Sequence, residues 1–150
     1  MKRHFNFFPL IIAGLLIMFF TQCANKFYKA GMDFYDAGNY EDAIEQYNKW
    51  LSEDSDNSKA YIARAEAYEK LNNKKDAARD YSRAGALKDD EDLFLKASDL
   101  YFEIENYERA AEMAEKAITE DKKNIKAHKN AIKSYVELEQ FDNAYKYSNK

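Results

Sequence analysis

The chain has 150 residues, enough for one ordinary domain, with 27 acidic against 23 basic side chains and a formal charge of −4. Lys2 and Arg3 are the only charged residues before position 24, so the remainder carries −6, which excludes the basic footprint that nucleic acid demands. With Pro9 the only proline and three of the four glycines beyond residue 23, flexible or proline-rich linkers are excluded as well, and the chain reads as nearly all helix.

The first element is of a different kind from the rest. Met1-Lys2-Arg3-His4 gives a positive start, Leu10 to Phe20 is an uninterrupted apolar run, and Thr21, Gln22 and Cys23 follow. This is the three-part layout of an export signal, expected over residues 1–22. A membrane-crossing helix needs roughly 20 apolar residues. The run reaches that length only if Phe5, Asn6 and Pro9 are counted, so a signal peptide fits better than a retained anchor. Cys23 is the only cysteine, so it has no internal disulfide partner. Its placement resembles the lipobox of bacterial lipoproteins, where a peptidase cuts before a cysteine that has received a diacylglycerol. Thr21 fits that pattern, whereas the family prefers an aliphatic residue at Phe20 and Gly, Ala or Ser at Gln22. The resemblance implies lipid on Cys23 and a membrane tether strengthened by roughly 0.8 kcal/mol for each buried methylene.

Beyond Cys23 the sequence repeats. Gly38 to Trp50 joins a glycine turn, an acidic first helical turn, small Ala43 and Tyr47 four residues later. The pattern returns with Ala77, Ala110 and Ala144, at spacings of 34, 33 and 34 residues. A fixed period in this range denotes a repeat array, in which each unit buries its apolar face only against its neighbours. Expected units span 24–57, 58–90, 91–124 and an incomplete 125–150. In the first, Phe27, Ala30, Gly31 and Phe34 form one helix, and Ala43, Tyr47 and Trp50 the next. Tyr61, Ala65, Tyr68, Ala77, Tyr81 and Ala84 serve the second; Arg64, at an apolar position, is expected to snorkel its charge to solvent. Phe94, Ala97, Ser98, Tyr101, Ala110, Ala114 and Ala117 serve the third, and His128, Ala131, Ile132, Tyr135, Ala144 and Ser148 the fourth. Ser58 and Asn124 read as N-caps.

These residues resemble tetratricopeptide repeats over 24–150, although Trp50 stands where a small residue is usual and the family's inter-repeat proline is missing throughout. The resemblance implies an all-α fold, a right-handed superhelical array of antiparallel helix hairpins with three and a half to four repeats. It also implies a concave groove lined by the first helix of each hairpin. At helical spacing the groove residues are Tyr28, Met32 and Tyr35, then Ile62 and Glu66, then Leu95, Asp99 and Phe102, then Lys126, Lys129 and Lys133. The groove would run from aromatic through acidic to basic and take a peptide or protein surface, unless these charges are only a solvated helix face. Tyr28, Met32 and Ala63 stand where the family's chaperone-binding branch has its carboxylate-gripping residues, so that activity is not expected.

No catalytic constellation assembles. His4 lies in the leader, and His128 takes a packing position. There is no phosphate loop, no zinc spacing and no EF-hand. Acidic Asp89-Asp90-Glu91-Asp92 sits at a helix start, where the helix dipole favours it. The expectation is a non-enzymatic scaffold of the bacterial cell envelope, tethered to the outer or inner membrane, without cofactor, metal or small-molecule substrate. It would serve an outer-membrane assembly, secretion or peptidoglycan-associated complex. The alternative is a spacer or oligomerisation segment of a larger envelope protein. Because the last hairpin carries Tyr145 and Tyr147 with nothing after it, either the chain continues or a partner completes it, and continuation is the expectation.

Overall fold

The computed structural model describes residues 26–148; the leader and Cys23 lie outside them. Eight helices follow one another among the described residues: α1 (26–36), α2 (Tyr40–Glu53), α3 (Ser58–Lys70), α4 (Lys74–Lys88), α5 (Glu91–Glu103), α6 (Tyr107–Glu120), α7 (Ile125–Glu137) and α8 (Phe141–Ser148). They form a helical solenoid of hairpins. From α2 onward each helix packs on its chain neighbours, and α5 also touches α7, so the array is built from local contacts.

One turn closes every hairpin. Gly38, Asn72, Glu105 and Glu139 are each left-handed, with φ of 80°, 55°, 60° and 57°. The amide following each donates back across the turn: Asn39 to Phe34, Asn73 to Tyr68, Asn106 to Tyr101 and Gln140 to Tyr135, at 2.8 to 2.9 Å. This satisfies carbonyls that the ending helix would leave unpaired.

Five of the helix starts, those of α3 to α7, are fixed by side chains. Asn57, Asn73, Asp90, Asn106 and Asn124 each accept a hydrogen bond from the amide three residues on. Asn124 is thus the cap expected from the sequence. Ser58 is not: Asn57 accepts from the Ala60 amide at 3.1 Å, and Ser58 is the first residue of α3.

The small residues work as the spacing requires. Ala43, Ala77 and Ala110 are wholly buried and Ala144 is 7% exposed. Gly31 lies directly beneath the ring of Tyr47, where an added Cβ would stand 2.3 Å from Cε1. Only glycine allows α1 and α2 to approach with Tyr47 fully buried between them.

Arg64 departs from expectation. Instead of reaching solvent it forms a two-point ion pair with Asp80 of α4, which is 1% exposed, and donates through Nη1 to Asn48 of α2 at 2.6 Å. One guanidinium therefore ties three helices together. A planar fork suits that task better than an ammonium would.

Candidate functional site

The first helix of each hairpin sends side chains to one face of the array. Tyr35 of α1, Glu66, Glu69 and Lys70 of α3, and Lys96 of α5 surround an open cleft of about 380 Å³, with Tyr81 of α4 at its base. Three repeats contribute to it.

Its geometry follows from packing. The Tyr81 hydroxyl donates to Glu69 Oε2 at 2.5 Å, and Lys96 Nζ sits 4.9 Å from the Tyr81 ring centroid. Burial first, and then the bond to Glu69, hold the Tyr81 phenol well above its ordinary value. Tyr35 packs edge-on against Tyr40, centroids 5.3 Å apart, and burial raises its phenol too. The cleft thus gathers neutral phenols, the Glu69 carboxylate held by Tyr81 and the exposed Glu66 beside two lysines.

A second cleft, about 210 Å³, lies between α5 and α7 and is lined by Asp99, Phe102, Glu103, Asn130 and Lys133. Asp99 accepts from Asn130 Nδ2 and from Lys126 Nζ, both at 2.7 Å. Lys126 is therefore already paired, while the Lys133 side chain lines the cleft.

The remaining residues named from sequence lie elsewhere. Tyr28 is 39% exposed and rests 5.2 Å from Trp50, whose bulk fills the place of the usual small residue. Met32 is half-buried on α1. Ile62 packs against the core, and Leu95 is buried within it. Lys129 lines a different cleft from Lys133, at the end of the array with Ile125, His128 and Tyr147.

Sequence reading missed Lys70, Lys96, Glu103 and Asn130 as lining residues. The signal was present. Lys96 precedes Asp99 by three residues and Asn130 follows Lys126 by four, spacings that place neighbours on one helix face.

His128 is buried as a packing residue; its Nε2 lies 3.0 Å from the Lys122 carbonyl, which it meets as a donor. Among the described residues no three His, Cys, Asp or Glu side chains gather to hold a metal ion, and no helix is long and apolar enough to cross a membrane.

The sequence matches the family described as Psidin, N-terminal TPR repeats region, over residues 31–150. No curated protein matches it. Among solved structures, a crystal structure of MamA is similar at 27% identity and TM-score 0.63, over 83% of this chain and 73% of that one. MamA 41-end from Desulfovibrio magneticus RS-1 shares the fold at 20% identity and TM-score 0.59, over 83% and 71%. So does the second TPR domain of human RPAP3 in complex with an HSP70 peptide, SGPTIEEVD, at 23% identity and TM-score 0.61, over 77% and 97%.

Proposed function

The chain belongs to the tetratricopeptide-repeat family, in the group described as the Psidin N-terminal TPR repeats region, and we propose that it is a protein-interaction scaffold whose first-helix face binds a segment of another protein. The observation that carries this reading is the cleft shared by Tyr35, Glu66, Glu69 and Lys96, because it joins side chains from three repeats around one open volume. A segment lying across α1, α3 and α5 would set an apolar side chain against Tyr35 and a basic one against the exposed Glu66 carboxylate. Where it reaches α7, Lys133 and Asn130 offer donors to a carboxylate or carbonyl. The RPAP3 domain of the same fold is seen with a peptide, which supports this kind of ligand without naming it.

The proposed setting is the bacterial cell envelope. A positive start, an apolar run and a lone Cys23 at its end support export and lipid attachment. With the repeats following at once, the tether would be short and α1 would lie near the bilayer. Cys23→Ala should abolish acyl labelling and release the protein from membranes; unchanged labelling would end the lipoprotein reading.

Binding itself is tested by selecting displayed peptides on the full chain. Enriched peptides should share a motif and lose affinity for a Glu66→Lys, Lys96→Glu variant that retains its helical circular dichroism. Enrichment of nothing, or of peptides indifferent to both changes, would contradict the scaffold reading.

A further inference from the structure

Asp99 of α5 is half-buried and accepts from Asn130 Nδ2 and Lys126 Nζ, so two donors of α7 bridge the first-helix face to one carboxylate. The preceding step, from α3 to α5, has no such bridge. Glu66 holds the place of Asp99, 33 residues earlier, while Lys96 and Asp92 hold those of Asn130 and Lys126, 34 residues earlier. Asp92 is itself a carboxylate and has no hydrogen to give. Lys96 has one, but its ammonium lies 4.9 Å from the centroid of the Tyr81 ring. Neither Glu66 nor Lys96 belongs to an ion pair among the described residues. The cleft at this unbridged step is the larger of the two, about 380 Å³ against 210 Å³.

With Glu69 engaged by the Tyr81 hydroxyl and Lys96 by the Tyr81 ring, Glu66 and Lys70 are the charges of this cleft left to a ligand. Of these, only Glu66 lacks donors that the next repeat supplies to its counterpart. It lines the cleft together with Tyr35, so an occupant can meet a carboxylate and an aromatic ring at once.

One side chain brings two donors and a flat face for a ring. Arginine presents a planar fork that meets a carboxylate with two parallel hydrogen bonds, and its guanidinium is attracted to aromatic faces. The molecule already uses that combination. Arg64 holds Asp80 through Nε and Nη2 while its guanidinium carbon lies 5.4 Å from the Tyr61 ring centroid. A lysine brings a single compact charge, and the one already at hand, Lys96, rests on a ring instead of on Glu66. Resting on the scaffold reading of this cleft, we infer that the segment it binds carries an arginine, with the guanidinium forked on Glu66 and lying against Tyr35.

The test selects random displayed peptides on the full chain in detergent micelles, then measures fluorescein-labelled synthetic copies of the enriched sequence by anisotropy. Enriched peptides should share one arginine. Replacing it by lysine should weaken binding about threefold, and by citrulline, which keeps the shape without the charge, about tenfold, the range open to an exposed ion pair with a cation–π contact. Glu66→Gln should bind the arginine and citrulline copies alike. Glu108→Gln, which removes the same charge from the exposed start of α6, should keep the preference. A shared acidic residue in place of the arginine, equal affinity for the lysine copy, or a preference that survives Glu66→Gln would overturn the proposal. Peptides without a shared arginine that still lose affinity for Lys96→Glu would leave the cleft a binding site and remove only its arginine. Enrichment of nothing would contradict both readings.

Discussion

Arg64 and Asp80 meet between α3 and α4 through two hydrogen bonds, Nε to Oδ2 at 2.6 Å and Nη2 to Oδ1 at 2.8 Å. The carboxylate is 1% exposed and the arginine side chain 14%. Replacing Arg64 by leucine would leave a buried charge without its partner, and such losses cost about 3–5 kcal/mol. Urea unfolding of Arg64→Leu should show a loss of that size, and the further change Asp80→Leu should recover much of it. A cost below about 1 kcal/mol for Arg64→Leu would mean that solvent already screens the pair.

The four hairpin turns share one backbone conformation but not one residue. Gly38 adopts its positive φ freely, whereas Glu105 and Glu139 hold theirs against the contact between Cβ and carbonyl. Glu105→Gly and Glu139→Gly should each raise stability, by about 0.5–1 kcal/mol, a modest gain because glycine also loosens the unfolded chain. Gly38→Ala should lower it by a similar amount. Thermal unfolding of the single variants is the check, and a destabilised Glu105→Gly would contradict the turn assignment.

Buried phenols make the array sensitive to alkali. Burial, followed by the nearby phenol of Tyr28 and the carboxylate of Glu66, pushes Tyr47 up to about 12. Tyr81 and Tyr135 are raised by burial and by donating to Glu69 and Glu115. A phenol whose folded pKa exceeds its ordinary value of 10.0 favours the folded state fully below that pH. The contribution falls as pH rises from 10.0 through the folded value. Urea midpoints should therefore drop above about pH 10, and Tyr81→Phe should flatten the decline relative to the parent chain. Identical pH profiles for parent and variant would show that these phenols do not govern it.

Much of the fold was legible because one residue type marks it. Ala43, Ala77, Ala110 and Ala144 recur buried in the array, where a small side chain lets helices approach closely, so the period survives in the sequence. Asn124 was legible as a cap because Asx side chains suit that position. Asn57 was not, since it sits in a run of cap-forming residues where only the backbone decides among them. The Arg64–Asp80 pair was hidden because residues 16 apart meet only through the register of α3 on α4. The left-handed turns at Glu105 and Glu139 carry no glycine to announce them. Helical spacing put Lys126, Lys129 and Lys133 on one face, but Lys126 turns to Asp99 and Lys129 to the end cleft. Spacing assigns a helix face; the neighbouring helices decide what that face meets.

The account rests on a partner seated where α1, α3 and α5 converge. A photo-crosslinking residue in place of Tyr35, in living cells, tests this most directly, with Lys75 on the exposed side of α4 as the control. One dominant adduct from position 35 and none from position 75 is the predicted result, and mass spectrometry of that adduct would identify the partner. No adduct, or equal adducts from both positions, would contradict the scaffold reading and favour a spacer role for these repeats.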